Sequence, residues 1–273
     1  LRPETYEQLN LTVVPLSMEF RGQVREDKSD DSIKEVYAAL RAGESAQTAA
    51  VNPDRWLNAM EPHLAEGRDV LVMAFSSGLS TTYQSAVIAA EELREKYPHA
   101  KIMTIDTYAA SLGEGLLVLE AARMLENGAP FSLIVEQISR RRHTMCQYFT
   151  VDDLAYLERG GRVSKAAAIV GTVLKIKPLL RGDDEGKIVQ CGKTRGRKQS
   201  LTALADFYEK LVADKSEEIG IAHADDAAGA QFLLDALRQR GFTGECLTVC
   251  YEPVTGSHVG PGTVALFFQG IHR

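Results

Sequence analysis

The 273-residue sequence lacks most of the signals that assign a chain to a function class at sight. Its four cysteines, Cys146, Cys191, Cys246 and Cys250, form no Cys-x-x-Cys pair and lie near no histidine at zinc-finger spacing. That removes the common zinc and redox motifs, and no metal site is expected. Cys246 and Cys250 fall in the alternating run Glu-Cys-Leu-Thr-Val-Cys-Tyr, which points both to one strand face as small apolar residues. No apolar run reaches bilayer length and no charged-then-apolar signal segment opens the sequence, so stable membrane insertion is not expected and a cytoplasmic location is. A basic excess is also missing. Lys and Arg number 31 against 37 Asp and Glu, a formal charge of −6, which argues against a nucleic-acid partner. Neither Gly-x-Gly-x-x-Gly nor a Gly-Lys-Ser/Thr phosphate loop occurs, and this counts against a nucleotide-binding protein. No cofactor motif remains. The length suffices for two domains, each with its own core.

What is present centres on one stretch. Val70–Phe75 is an apolar run of buried-strand length, Ser76-Ser-Gly-Leu-Ser-Thr-Thr-Tyr-Gln-Ser85 is a polar loop, and from about Thr82 the Ala, Glu and Leu content is helical. A helix N-terminus offers unpaired N–H groups and the positive end of the helix dipole to an anion. Ser76, Ser77, Ser80, Thr81 and Thr82 put five hydroxyls in seven residues there, and Gly78 lets the backbone approach a ligand. Capping accounts for one or two hydroxyls. The rest favour an anion site.

Upstream, Pro3 starts a short helix, Leu11–Leu16 reads as a strand with a proline near its end, and Ser32–Arg41 as an amphipathic helix stopped by Gly43. Asn52 and Pro53 read as cap and first residue of a helix through His63, which leaves Thr48 exposed on the preceding loop. Downstream come a strand Lys101–Asp106, a helix Thr107–Leu125 with Asp106 as its cap or as a partner of the loop hydroxyls, and a helix Pro130–Arg142. Strand and helix alternating over short connections imply a parallel sheet with ligands at the carboxyl ends of its strands.

The character changes at the strand Met145–Val151. Asp152 is read as the cap of a short helix ending at Gly160, and Ser164 as the cap of a helix from Lys165 into Val170. Strands Lys175–Leu180 and Lys187–Cys191 flank the turn Gly182–Gly186, and the basic Thr194–Lys198 precedes a helix Gln199–Val212. The bland reading of that basic run is a solvated loop; the sharper one has an arginine facing an anion or an acidic partner. Then follow the strand Glu218–His223, the helix Asp226–Arg240 and the strand Glu245–Glu252. Pro253–Gly262 leads into the strand Thr263–Phe268, with His258 among small residues and expected to project from a loop tip. The division is expected at 1–144 and 145–273.

In order along the chain, Ser76-Ser-Gly-Leu-Ser-Thr-Thr-Tyr-Gln-Ser-Ala86, Asp106-Thr-Tyr-Ala-Ala-Ser-Leu-Gly113, Leu154-Ala-Tyr-Leu-Glu-Arg-Gly-Gly-Arg-Val-Ser-Lys-Ala-Ala-Ala168, Ile176-Lys-Pro178, Arg195-Gly-Arg-Lys198 and Gly256-Ser-His-Val-Gly-Pro-Gly262 resemble the DegV family of bacterial fatty-acid-binding proteins. The resemblance implies two α/β domains, the first a Rossmann-like parallel sheet flanked by helices, with a lipid tunnel between them. It implies one bound long-chain fatty acid as ligand and no cofactor. By the resemblance the carboxylate is held by Thr48, by Ser80 (with Ser76 and Ser77 as alternatives) and by His258. It also implies a partner, a separate fatty acid kinase that makes the acyl phosphate for phospholipid synthesis, with Arg195, and Arg197 second, facing the head group or the kinase. Two departures stand out. Family members usually begin with a strand and an Asp-Ser-Thr-like turn, and this sequence starts after that point; and Thr48-Ala-Ala-Val-Asn52 replaces the usual Thr-Ser-Gln-Pro-Ser. The alternative is an enzyme, of the dihydroxyacetone-kinase type or a hydrolase, using His258 with a loop serine.

Overall fold

The computed structural model of the chain describes residues 1–25, 30–163 and 176–273. The expected Ser164 cap, the helix from Lys165 and the start of the strand at Lys175 lie outside the described residues. The protein is α/β. After α1 (Pro3–Gln8), three short strands, β1 (Ser17–Phe20), β2 (Gln23–Arg25) and β3 (Gln47–Ala49), form an antiparallel sheet in the order β2-β1-β3, with α2 (Asp30–Arg41) inserted between β2 and β3. Leu11–Leu16, expected as a strand, joins no ladder; the first pairing begins at Ser17, two residues past Pro15, which has no N–H to give. Helix α3 (Pro53–Ala65) starts as anticipated. Pro53 occupies its first turn and the Asn52 side chain accepts from the Arg55 N–H at 3.0 Å, a cap of about 1 kcal/mol.

Strands β4 (Val70–Ala74) and β5 (Ile102–Asp106) pair in parallel, Val70 opposite Ile102 and Ala74 opposite Asp106, with α4 (Thr82–Lys96) as the crossover. Their core is small-residue rich. Ala86, Ala89, Ala90 and Leu93 of α4 meet Val72 and Ala74 of β4 and Trp56, Met60 and Leu64 of α3. The second part of the chain builds a six-stranded mixed sheet from β6 (Met145–Thr150), β7 (Ile176–Gly182), β8 (Ile188–Arg195), β9 (Ile219–His223), β10 (Cys246–Cys250) and β11 (Val264–Gln269), in the order β10-β9-β11-β6-β7-β8. Only β9 and β10 are parallel; β11 runs antiparallel between β9 and β6. Helices α8 (Arg197–Leu211) and α9 (Ala227–Gln239) cover one face, burying Leu201, Leu204, Tyr208, Leu233 and Leu237. Between the covered sheet and the β4–β5 layer lie α5 (Leu112–Glu126) and α6 (Phe131–Arg141); α7 (Ala155–Arg159) and α10 (Pro253–Val259) sit near the β1–β3 sheet.

Helix α5 begins five residues later than the sequence suggests. Gln147 of β6 reaches into the run 107–111, its Oε1 accepting from the Ala110 N–H and its Nε2 donating to the Tyr108 carbonyl, both at 2.9 Å. Tyr108 and Ser111 take positive φ of 51° and 53°, conformations that cost non-glycine residues about 1–3 kcal/mol each. A distant side chain thus holds the segment out of the helix. Asp106 does not cap α5 either; its Oδ1 accepts from the backbone N–H of Tyr108 (3.0 Å) and of Ser77 (3.2 Å). Likewise Asp152 is an ion-pair partner of Lys177 at 2.7 Å, while Asp153 takes the Ala155 N–H at the start of α7. The strand that carries Cys246 and Cys250 is only half-buried along its length, and neither cysteine is in a disulfide.

Replacing Gln147 by Leu, an apolar side chain of similar size, strands the Ala110 N–H and the Tyr108 carbonyl together. The expected loss is about 1–3 kcal/mol, read as a lower denaturant midpoint at unchanged slope.

Candidate functional site

The Ser-rich loop connects β4 to α4 at the carboxyl end of the parallel pair, where open α/β sheets place ligands. Its hydroxyls divide by task. Ser76 is fully buried and donates to the Gly186 carbonyl at 2.8 Å, while its Oγ accepts from the Gly78 N–H at 3.2 Å. That bond fastens the loop to the β7–β8 turn. A side chain on Gly78 would lie 2.7 Å from the Glu185 carbonyl oxygen, which is why glycine stands there. Ser77 is exposed, and its N–H is the one bound by Asp106. Ser80 faces the other way. Its Oγ lies 2.9 Å from Thr82 Oγ1 and accepts from the Thr82 N–H. Thr82 in turn accepts weakly from the Val51 N–H at 3.4 Å, so Ser80 is coupled to the segment that follows Thr48.

Thr48 is not on an exposed loop. It is the middle residue of β3, opposite Met18, half-buried, with its Oγ1 2.7 Å from His258 Nε2. Nor does His258 stand on a loop tip. It occupies the last turn of α10, a helix started by Pro253 and capped by Glu252, whose carboxylate accepts from the Val254 and Thr255 N–H groups. Two residues 210 apart in sequence are thereby joined by one hydrogen bond. The other face of the imidazole lies against Gly160, where an added Cβ would fall 2.3 Å from Nδ1.

Arg162, two residues beyond Gly160, went unremarked in the sequence although it stands inside the Arg159-Gly-Gly-Arg162 motif. Its Nε donates to the Leu79 carbonyl at 3.1 Å, in the middle of the Ser-rich loop, and a second guanidinium nitrogen donates to the Gly160 carbonyl. It ties the loop to the turn beside His258. Burial, and then the Arg162 charge, push the His258 pKa down from 6.5 to about 4, so the ring is neutral at pH 7. The Thr48–His258 pair, the Arg162–Leu79 bond and the Ser80–Thr82 pair therefore gather polar groups around a cation that, among the described residues, pairs with no carboxylate. Such a cluster suits a carboxylate.

The two arginines of Arg195-Gly-Arg197 part company. Arg195 ends β8 exposed and has no side-chain partner among the described residues. Arg197 is held by Asp226 at 2.5 Å, with Asp152 at 4.0 Å. Among the described residues no cluster of His, Cys, Asp and Glu is arranged to hold a metal ion, and no helix is long and apolar enough to cross a membrane.

A cavity of about 1440 Å³ is lined by Thr82, by β4, by Glu114, Val118, Ala122 and Leu125 along one face of α5, by Phe131, and by residues 1–4 and 10–16. The span from Glu114 to Leu125 is roughly 17 Å at 1.5 Å per helical residue. This volume exceeds that of an ordinary small-ligand pocket, about 300–1,000 Å³.

The family model described as uncharacterised protein, DegV family, matches residues 1–270. The chain belongs to the DegV family. A DegV domain-containing protein of Clostridium perfringens is 42% identical over 238 residues, 87% of this chain and 82% of that one. Among solved structures, a DegV family protein of Thermus thermophilus, described for its fatty acid binding, is 28% identical with a TM-score of 0.88, covering 99% of this chain and 96% of that one. A fatty acid binding DegV family protein of Streptococcus agalactiae is 28% identical with a TM-score of 0.85, over 98% and 94% of the two chains. The polar cluster and the cavity of this DegV protein thus sit on a shared architecture.

The electrostatic account predicts that Arg162→Gln raises the His258 pKa from about 4 without restoring it to 6.5, since burial remains. An NMR titration of the imidazole reads this directly. Because the folded pKa lies below the unfolded one, His258 contributes full stability above about pH 6.5, and that contribution is lost as pH falls toward 4. The loss is expected to shrink in the variant.

Proposed function

We propose that this DegV protein binds one long-chain fatty acid, the chain in the α5 cavity and the carboxylate at Thr48, Ser80 and His258, and presents it to a separate fatty acid kinase. The observation that carries the reading is the continuity between the two: Thr82 lines the cavity and bonds Ser80 at 2.9 Å. An acyl chain entering along α5 brings its head group to the hydroxyl cluster. Ser76, buried under Gly186, and Ser77, with its side chain outward, are weaker candidates than Ser80. Arg195, exposed and unpaired among the described residues, suits a partner surface or its phosphate, and Arg197 serves first to brace Asp226 and Asp152. The two halves 1–144 and 145–273 supply the two sides of this arrangement as domains. No cofactor is needed.

Energetics divide the work. Each methylene moved from water contributes about 0.8 kcal/mol, so some sixteen of them give roughly 13 kcal/mol before ordering costs are subtracted. Hydrogen bonds to the carboxylate add about 1.5–3 kcal/mol each at most. The chain therefore sets affinity and the polar cluster sets position. A hydrolase built on His258 is disfavoured by the same cluster: a general base works best near the operating pH, whereas this imidazole titrates at about 4 beside a cation, and its hydrogen-bond partner is Thr48 instead of a loop serine.

Native mass spectrometry of the purified protein, followed by lipid analysis of whatever is released on denaturation, tests the reading; an acyl chain at one per protein is expected, and a protein that neither carries nor takes up fatty acid refutes it. Ser80→Ala and His258→Ala are expected to weaken fatty acid binding by no more than about 10- to 100-fold, less than Val118→Trp in the cavity wall. Acyl-phosphate formation with the kinase should respond in the opposite order. Equal losses in both assays for both kinds of variant would remove the division of labour.

A further inference from the structure

Helix α10 carries His258 between two glycines, and a tyrosine is packed against each. Gly256 and Gly260 stand one turn apart, the Gly260 N–H donating to the Gly256 carbonyl at 2.9 Å, so they share one face, and His258, two residues from each, takes the opposite one. A Cβ on Gly256 would overlap the Tyr37 hydroxyl, and one on Gly260 would overlap the Tyr156 ring. Neither tyrosine is loose. Tyr37, fully buried on α2, donates to the Tyr251 carbonyl at 3.1 Å. Tyr156, on α7, donates to the Leu40 carbonyl of α2 at 2.9 Å, with the Arg159 guanidinium 4.6 Å from its ring centre. Helix α7 also reaches the imidazole itself: Gly160, whose N–H donates to the Tyr156 carbonyl at 3.1 Å, is the residue that lies against Nδ1.

Placing an imidazole takes more than its one hydrogen bond. The Thr48–His258 bond fixes a separation of 2.7 Å but does not by itself stop α10, a helix of seven residues, from rolling or sliding, and a misplacement of about 1 Å is enough to spoil a reacting geometry. We propose that Tyr37 and Tyr156 are positioning residues for the ligand's head group: packed against Gly256 and Gly260 and tethered to backbone carbonyls, they hold His258 toward Thr48 from the far side of α10. The inference rests on the fatty-acid reading above and deepens it, since it says what keeps the partners of the carboxylate in register. Glycine at both positions has its reason here, because a side chain at either displaces a tyrosine or the helix. Gly260 also takes a φ of 78°, which glycine adopts without steric cost. Both tethers meet on α2, the helix that leads into β3 and Thr48. One element thus sets both ends of the Thr48–His258 bond.

The test removes the hydroxyls alone. Tyr37→Phe and Tyr156→Phe are compared with the unaltered protein and with Ile219→Val, which deletes one methylene in the core beneath α8 and α9 and lowers stability away from α10. Thermal unfolding shows that each variant is folded. NMR reads two signals: the titration of the His258 ring after delipidation, and the carboxyl resonance of bound octadecanoic acid labelled isotopically at its carboxyl carbon. Both Phe variants are expected to raise the His258 pKa from about 4, as a loosened ring regains water, and to shift the carboxyl resonance. Affinity for the acid should change by less than about 3-fold, because the buried chain sets it. Ile219→Val should move neither signal. Gly256→Ala should move both, and should add less in the Tyr37→Phe background, where the hydroxyl it meets is gone. A Phe variant that leaves both signals unmoved removes its tyrosine from the proposal. Both variants doing so, or Ile219→Val moving the signals as far, overturns the proposal and leaves the fatty-acid reading standing. A protein that neither carries nor takes up octadecanoic acid overturns both.

Discussion

Much of this structure depends on how closely α5 lies on the six-stranded sheet. A Cβ on Gly113 would stand 2.9 Å from Gln147 Oε1 and 3.1 Å from the Phe267 ring, and one on Gly220 would stand 2.8 Å from Leu112. Glycine on both sides lets the helix sink until Leu112, Leu116 and Leu117 join the core that includes Phe149, Ala265 and Phe267. With that face buried, the opposite face of α5 is left to look across at β4, and the space between them is the cavity. The same approach brings Gln147 within reach of the 107–111 loop and so fixes where the helix starts. Packing of the helix, position of the loop and shape of the cavity are one constraint seen from three sides.

The polar cluster is assembled on a different principle, from short elements that no local sequence could hold alone. Strand β3 has three residues and α10 has seven. Each is fixed by partners far along the chain: Met18 for Thr48, and Tyr37, whose hydroxyl donates to the Tyr251 carbonyl beneath α10 at 3.1 Å. Among the described residues Arg162 supplies the cation, and it is already engaged with two carbonyls. On the proposed reading, an arriving carboxylate meets donors whose positions are set beforehand and so loses little of the binding free energy to reorganisation. The Arg162 charge that helps keep the proton off His258 also favours an anion there, and a bound anion would in turn raise the His258 pKa.

The elements that could be read from the chain were those with strong local signals. Asn52-Pro53 announces α3, the run Val70–Ala74 announces β4, and the alternation of strand and helix announces the parallel pair. The Ser-rich loop, too, lies where its hydroxyl density suggests. Where the reading failed, a distant residue had overruled a local preference. Ala- and Leu-rich sequence from Thr107 favours helix, but Gln147 holds the first five residues in a loop. Thr48 and His258 looked exposed because neither sits in a periodic run, and the bond that buries them spans most of the chain. Arg162 and Glu114 had signals of a subtler kind: a cation just after a glycine pair, and a lone acid among leucines. Each is a charge in a setting that local propensity does not explain.

Those two charges mark opposite treatments of the same cost. Arg162 loses water on folding and recovers hydrogen bonds from Leu79 and Gly160, so its charge survives burial and acts on its neighbours. Glu114 loses water and regains only part of that cost from the amino group of Leu1, so its pKa rises to about 8. One end of the ligand space thus keeps a fixed positive charge, and the wall beyond it has surrendered its negative one. An ionised Glu114 would repel the carboxylate of any fatty acid that entered in either direction; as a neutral acid it leaves the gradient along the cavity pointing one way. On the proposed fatty-acid reading, a head group directed toward Thr48 and His258 lies beside the group that kept its charge and away from the one that did not.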